Sequence, residues 1–174
     1  ASNDVIYVTA LLTNGPGSWP GMYLYDPDGV LVTTGLNAPN FVYTGNLRAG
    51  KTGRYIVALI DGGLDESFDY IVSCNVAGCG VNGREPGDGP EALVLGQSSY
   101  GHMEPADYDT FCFSAVSNDV IYATALVTNG PGSWPGMYLY DPDGVLVTTG
   151  VNAPNYVYTG SLRVGKTGTY TIAL

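Results

Sequence analysis

Apolar and polar residues alternate along this chain in short runs, and each run predicts a β-strand. The runs are rich in β-branched and aromatic residues and end at Gly, Pro, Asn or Asp. In the second half of the chain the predicted strands span residues 109–114, 120–127, 137–140, 145–149, 156–159 and 169–174. No window of twelve or more residues has the period of an amphipathic helix, so the pattern predicts an all-β protein.

Turn residues separate the predicted strands. In Asp141-Pro142-Asp143-Gly144, Pro fixes φ at the first corner, Asp tolerates the second and Gly accepts the left-handed position. This segment predicts a β-hairpin, and residues 26–29 predict a second one. Residues 129–136 are rich in Gly and Pro and predict a loop. Many short strands joined by such turns indicate an antiparallel β-sandwich of two sheets.

The chain contains a long internal repeat. Residues 2–59 align without a gap with residues 117–174, and the two segments differ at nine of 58 positions. In the first copy these positions are 8, 12, 36, 41, 46, 49, 54, 56 and 57. The period is 115 residues, which is a usual size for one domain. We therefore expect tandem β-sandwich modules with a 115-residue repeat.

The repeat also sets the expected domain boundaries. We assign residues 1–80 to the C-terminal portion of one module and residues 91–174 to the N-terminal portion of the next. Residues 81–90, which are polar and rich in Gly and Pro, form the expected seam. A free protein cut within a period has unpaired strand edges. We therefore expect a segment of a longer tandem array or a protomer completed by its neighbours. A duplication in an ordinary two-domain protein is the alternative.

Several motifs occur in an order that resembles a known family. They are Asp107-Tyr-Asp-Thr-Phe, the strand 120–126, Leu139-Tyr-Asp-Pro-Asp-Gly, Gly168-Thr-Tyr-Thr-Ile-Ala and, for the closing strand, Asp69-Tyr-Ile-Val. In this order they resemble the bacterial pre-peptidase C-terminal domain. The resemblance implies a jelly-roll-like sandwich that serves as an accessory module of secreted enzymes and surface proteins. It also implies a module without catalytic residues of its own.

The charge of the chain argues against two classes of partner. The chain has 16 acidic and 6 basic residues and a net charge of −10. This balance removes the attraction between basic proteins and nucleic acids or anionic lipids. No apolar run approaches the ~18 residues of a membrane-spanning helix. We therefore expect neither nucleic-acid binding nor membrane insertion.

The three cysteines, Cys74, Cys79 and Cys112, are candidates for disulfide formation. Spacing alone allows a local Cys74–Cys79 bond, with Cys112 unpaired or paired elsewhere. The family resemblance implies that the Asp-x-Asp-x-Phe and Asp-Tyr-x-Val strands are antiparallel neighbours, so that Cys112 approaches the next copy's equivalent of Cys74. Few Lys, abundant Tyr, Gly and Thr, and cysteines near strand ends favour an oxidising, extracellular location. One His and no Cys-x-x-Cys motif argue against a zinc site.

Two acidic clusters are candidates for calcium binding. Asp61, Asp65 and Asp69 belong to the first cluster, and Asp107 and Asp109 belong to the second. Closely spaced carboxylates on loops supply the oxygen ligands that Ca²⁺ prefers, although neither cluster has EF-hand spacing. Solubility and turn capping are the alternative explanation. We expect no other cofactor.

His102 is the only histidine, and a hydrolytic triad would have to include it. It lies in a predicted loop, and Ser98 and Ser99 precede it without a nucleophile-elbow motif. A solvated or hydrogen-bonded His102 is favoured over a catalytic one, so the sequence does not predict an enzyme.

Aromatic residues are the remaining candidates for binding. Trp19 and Trp134 lie in Gly- and Pro-rich loops, where they either stack on glycans or pack on a neighbouring module. Tyr23, Tyr25, Tyr138 and Tyr140 alternate along predicted strands and are expected to cover sheet faces. No Asn-x-Ser/Thr sequon occurs, so N-glycosylation is not expected, whereas O-glycans on Ser and Thr are left open.

These observations predict a structural protein of the extracellular space or cell surface. Near-identical modules present near-identical junctions, and a head-to-tail junction that does not close into a ring generates a filament. The expected partners are identical neighbouring modules or protomers. A tandem carbohydrate-binding or adhesion module is the competing hypothesis.

Overall fold

The computed structural model describes residues 4–14, 19–63, 68–78, 88–105, 107–129 and 132–174. These residues form β-strands and no helix, and every described pair of strands is antiparallel, which confirms the all-β prediction. The strands are β1 (Val5–Asn14), β2 (Pro20–Tyr25), β3 (Leu31–Thr34), β4 (Leu36–Ala38), β5 (Phe41–Tyr43), β6 (Leu47–Arg48), β7 (Ile56–Asp61), β8 (Asp69–Ala77), β9 (Thr110–Ala115), β10 (Val120–Ile121), β11 (Thr124–Leu126), β12 (Tyr138–Tyr140), β13 (Leu146–Thr149), β14 (Val151–Ala153), β15 (Tyr156–Tyr158), β16 (Leu162–Arg163) and β17 (Gly168–Ala173).

The strands belong to two compact units. The first comprises Ala1–Val76 and Met103–Asp107, and the second comprises Ala77–His102 and Tyr108–Leu174. Residues 81–87 of the expected seam lie outside the described residues.

The first unit contains two sheets. One has the strand order β4-β5-β1-β6, with β8 also paired to β1, and the other has the order β3-β2-β7. Apolar residues of both sheets form one core, which gives the unit a β-sandwich-like arrangement. The buried members are Ile6, Val8, Ala10, Met22, Val42 and Ala49, and the partly buried members are Tyr55, Val57 and Leu59.

The second unit has a corresponding set of sheets. Its largest sheet has the order β13-β12-β17-β9, and the smaller ones are β11-β15-β14 and β10-β16. Its buried core consists of Phe111, Phe113, Ala115, Ile121, Met137, Leu139, Val157, Val164, Tyr170 and Ile172. Phe111, Phe113 and Ala115 belong to β9, and none of the described residues of the first unit forms an equivalent strand beside β7.

The predicted hairpin at residues 141–144 is confirmed, because β12 pairs with β13 across this turn. The Asp141 carboxylate accepts hydrogen bonds from the backbone N–H groups of Asp143 and Val145, each at 2.9 Å. Gly144 has φ +70°, which is the left-handed conformation that the sequence predicts for this position. Gly29, in the equivalent turn of the first unit, has φ +78°.

One predicted strand is interrupted. The run 120–127 forms two strands, β10 and β11, whereas its counterpart in the first unit is the continuous β1. Between β10 and β11, the Ala123 N–H donates to Thr159 Oγ1 at 3.0 Å, so a side chain replaces a backbone acceptor. Val8 makes the same contact with Thr44 in the first unit, but there β8 also pairs with β1. The continuous strand β1 therefore has β8 as an additional neighbour. The interrupted strands β10 and β11 have no equivalent neighbour among the described residues.

Candidate functional site

The chain's two lysines each bind the acidic hairpin turn of one unit. Lys51 Nζ contacts the Asp26 carboxylate and lies 2.7 Å from Asp28 Oδ2. Lys166 Nζ contacts the Asp141 carboxylate and lies 2.7 Å from Asp143 Oδ2. We refer to these two sets of three residues as the Lys–Asp clips. The sequence pattern assigned these carboxylates to turns but did not identify the lysines. The signal that could have found them is that Lys occupies both equivalent positions of the repeat, 51 and 166.

The clips shift the pKa values of their members. The hydrogen bond from Lys51, together with those from the backbone N–H groups of Val30 and Asp28, holds the pKa of Asp26 below its ordinary value. In the second unit, burial raises the pKa of Asp141, but the hydrogen bonds from Lys166 and the backbone outweigh this effect and leave the pKa lowered. The carboxylates in turn raise the pKa of both lysines. Charged partners therefore stabilise each turn across the neutral pH range.

The acidic residues proposed for calcium binding do not form a cluster in the described part of the chain. Asp61 Oδ1 accepts a hydrogen bond from the Gly63 N–H at 3.2 Å, and Asp69 Oδ2 accepts one from Asn14 Nδ2 at 3.4 Å. Asp107 Oδ2 is buried and accepts no hydrogen bond from the described residues. Within those residues, no three Asp, Glu, His or Cys side chains are grouped so as to hold a metal ion. Asp65 lies outside the described residues, and the calcium site stays a prediction.

His102 lies in an exposed loop of the second unit. Its backbone N–H donates to Asp88 Oδ1 at 2.8 Å. The Ser99 hydroxyl donates to the backbone carbonyl of Pro90 at 2.8 Å. These contacts, made by the His102 backbone and the Ser99 hydroxyl, hold the loop against the segment that precedes it.

Aromatic side chains form a partly exposed row in each unit. In the second unit Tyr158 stacks with Tyr122 and Tyr156, with ring centroids 6.1 Å and 5.3 Å apart. In the first unit Tyr43 stacks in the same way with Tyr7 and Phe41. The Tyr122 and Tyr156 hydroxyls are 3.3 Å apart, and this hydrogen bond raises the pKa of Tyr122. Sequence reasoning missed these rows because their members come from strands that are distant in the sequence.

The two tryptophans singled out by the sequence are accessible. Trp19 and Trp134 are each more than half exposed. Among the strand tyrosines expected to cover sheet faces, Tyr140 is fully buried, and its hydroxyl lies 3.3 Å from that of Tyr108. Tyr140 is therefore the buried member of this group, Tyr23, Tyr25 and Tyr138 are partly buried, and the two tryptophans present their rings to solvent.

The described residues test only the local pairing of the cysteines, and the approach of Cys112 to the next copy's equivalent of Cys74 stays a prediction. Cys74 is a free, exposed thiol, so the local Cys74–Cys79 bond does not form, and Cys79 lies outside the described residues. Cys112 is buried in β9, opposite Thr171 of β17. On the other side of β9, the Cys112 N–H donates to the Glu91 carbonyl at 2.9 Å, and its own carbonyl accepts from the Leu93 N–H at 2.6 Å. At Cys112, β9 therefore has β17 on one side and the segment of Glu91 and Leu93 on the other.

The strands that lie at sheet edges differ between the two units. In the second unit β17 lies between β12 and β9, whereas its counterpart β7 pairs with β2 alone among the described residues. In the first unit β1 pairs with β8, whereas the counterpart β11 has only β15 as a described partner. Among the described residues, each unit therefore contains a flanking strand that has no described counterpart in the other unit.

Comparison of the sequence with models of known protein families yields no match, and comparison with curated proteins yields no significant similarity. None of the described residues belongs to a helix that is long and apolar enough to cross a lipid bilayer.

We expect replacement of Lys51 by Met to raise the pKa of Asp26, and replacement of Lys166 by Met to raise that of Asp141. The loss of the charged donor moves each carboxyl toward its ordinary pKa of about 3.9. The measurement is carboxyl ¹³C NMR as a function of pH. Lys51→Arg, which keeps the charge, is the control, and an unchanged Asp26 pKa in Lys51→Met contradicts the clip.

The same clips predict how stability changes with pH. A lowered carboxyl pKa stabilises the folded state above the unfolded-state pKa, and this contribution is lost as pH falls through the folded-state pKa. A raised lysine pKa stabilises the folded state below about pH 10.4, and this contribution is lost at higher pH. The difference in urea midpoint between the wild-type protein and the Lys→Met variants should therefore be largest between these limits and shrink below about pH 4.

We expect alkylation of the folded protein without reductant to add one label per chain, at Cys74. The thiolate is the reactive form, and burial raises the pKa of the Cys74 thiol, so labelling is slow at pH 7 and faster at higher pH. Cys112 is expected to be protected in a disulfide, so three labels are added after unfolding and reduction. Intact-mass spectrometry counts the labels, with Cys74→Ser as the unlabelled control. A second label without reductant contradicts this assignment.

Proposed function

We propose that the chain is a structural protein that forms a linear array or filament of β-sandwich modules outside the cell. The observation that supports this proposal is the internal repeat. Residues 2–59 and 117–174 differ at nine of 58 aligned positions, and one sheet of each unit has the same central pairing, β3-β2-β7 in the first unit and β13-β12-β17 in the second.

Near-identical modules present near-identical surfaces, so a contact that forms at one junction can form at the next. In such an array stability sums over modules and junctions. The net charge of −10 keeps arrays from associating side by side. The proposal includes an oxidising, extracellular setting and no enzymatic activity, in line with the motifs that resemble pre-peptidase C-terminal domains.

A tandem carbohydrate-binding or adhesion module is the second candidate. Trp19 and Trp134, together with the stacked rows around Tyr43 and Tyr158, favour it. Exposed aromatic rings present the flat apolar faces that stack on sugar rings. Both features recur in the two copies, so a bivalent protein would bind a repetitive glycan with avidity.

We expect electron microscopy of the native protein to show fibres whose axial repeat corresponds to one module. Native intact mass well above 18.2 kDa, with and without reductant, would accompany them. Reduction that leaves the fibres intact assigns the junctions to noncovalent contacts, and reduction that dissolves them assigns the junctions to disulfides. A monodisperse, compact monomer contradicts the structural proposal.

We expect the double variant Trp19→Ala/Trp134→Ala to assemble like the wild-type protein. Its retention on polysaccharide columns should also equal that of the wild-type protein. Tyr100, which is also highly exposed but lies outside the Gly- and Pro-rich loops, provides the matched control Tyr100→Ala. Loss of retention in the Trp variant alone, with intact assembly, supports adhesion and contradicts a purely structural role.

A further inference from the structure

We propose that residues 30–38 and 145–153, which lie at sheet edges, pair with the same residues of a second copy of the chain. We refer to these two stretches as the edge segments. They occupy equivalent positions of the repeat and differ only where Leu36 corresponds to Val151. The inference rests on the proposed structural role, because it names a surface through which one chain contacts the next.

Each edge segment lies at the outer edge of two sheets. Residues 30–38 contain β3 and β4, and among the described residues β3 pairs with β2 alone and β4 pairs with β5 alone. Residues 145–153 contain β13 and β14, whose only described partners are β12 and β15. An edge strand presents a row of backbone N–H and C=O groups to a further strand. Both sheets of a unit can therefore be extended at its edge segment.

The edge segments are exposed whichever flanking strand accompanies the unit. Strand β8 pairs within the first unit, and β9 pairs within the second. Val30, Leu31 and Val32 are between 40 % and 59 % exposed, and their equivalents at residues 145–147 are between 38 % and 49 % exposed. Neither flanking strand therefore covers an edge segment.

A close approach of two backbone segments fixes the point at which each edge segment passes from one sheet to the other. The Gly35 N–H donates to the Met22 carbonyl at 2.7 Å, and a Cβ at Gly35 would lie 2.5 Å from the Val42 side chain. Gly150 makes the same hydrogen bond to Met137, also at 2.7 Å. The edge is therefore preorganised, and pairing requires little further ordering of its backbone.

Composition and charge favour a second copy of the edge segment as the occupant. The edge segments contain no Asp, Glu, Lys or Arg, whereas the chain has a net charge of −10. Two copies of so acidic a chain repel each other, and they approach with least repulsion where both surfaces are uncharged. The segments are also rich in Val and Thr and lack Pro, which is typical of strands that pair with identical strands.

The acidic hairpin turns set the orientation of the pair. The turn of a Lys–Asp clip directly precedes residues 30–38, and this clip is net negative because it has two carboxylates and one lysine. In a parallel pair the two turns would lie side by side and repel each other, so the pair is antiparallel. The register between β2 and β3 shifts between Thr33 and Leu31. Backbone pairing is therefore expected at residues 33–38.

Sedimentation velocity of the 174-residue chain over a series of concentrations tests the pairing. Because one chain has two edge segments, we expect reversible association beyond the dimer. Amide hydrogen exchange within residues 33–38 and 148–153 should be slower at the highest concentration than at the lowest. A chain that stays monomeric throughout the series, or slower exchange confined to other residues, overturns the inference.

Exposed threonines provide a matched pair of variants, since Lys on an edge strand opposes pairing. Thr34→Lys/Thr149→Lys places a charge in both edge segments and should weaken self-association about tenfold or more. Thr13→Lys/Thr128→Lys adds the same charge at exposed, equivalent positions outside the edge segments and should have little effect. The single variant Thr34→Lys keeps one intact edge segment, so its association should stop at the dimer.

Far-UV circular dichroism checks that these variants fold, and the hydrogen-exchange measurement requires no variant. Equal loss of association in the two double variants overturns the inference. Association of Thr34→Lys beyond the dimer also overturns it, because the single remaining edge segment cannot join more than two chains.

Electron microscopy separates this inference from the proposed function. Fibres that form equally well in Thr34→Lys/Thr149→Lys mean that the chains join through another surface, which overturns the inference and leaves the structural role in place. Association through the edge segments that yields short oligomers and no fibres supports the inference and overturns the filament.

Discussion

The covering of one sheet edge by Phe111 and Phe113 is the interaction on which the rest of the structure depends. Where β9 supplies these rings, Tyr170, Ile172 and Leu139 are buried and the core is complete. Where no such strand is described, the equivalent positions Tyr55 and Val57 are partly exposed. The local sequences are nearly the same, so the strand next to them decides the burial. Each module therefore depends on a flanking strand as much as on its own residues.

The turns are organised differently, because each is stabilised from within its own unit. The Asp-Pro-Asp-Gly segments have their backbone groups satisfied by the first Asp and their charge balanced by a lysine 25 residues further along the chain. The geometry of each hairpin is therefore set by residues of its own unit.

Much of the fold was predictable from the sequence, for identifiable reasons. Alternation predicted β9, β12, β15 and β17, because each contributes residues to a core, and turn chemistry predicted the β12–β13 hairpin and the left-handed Gly144. The strand interruption at Ala123, the Lys–Asp clips and the aromatic rows were not predictable. They depend on contacts between segments that are tens of residues apart, which periodicity does not report.

The lysine positions also affect how the protein can be handled chemically. Both lysine amines of the chain are protonated and held between carboxylates, and the remaining basic residues are arginines. Acylating reagents require the neutral amine, so ester-activated dyes and aldehyde fixatives find few reactive lysine groups on this surface. Carboxyl-directed or thiol-directed reagents suit the chain better, because acidic side chains are numerous and Cys74 is accessible.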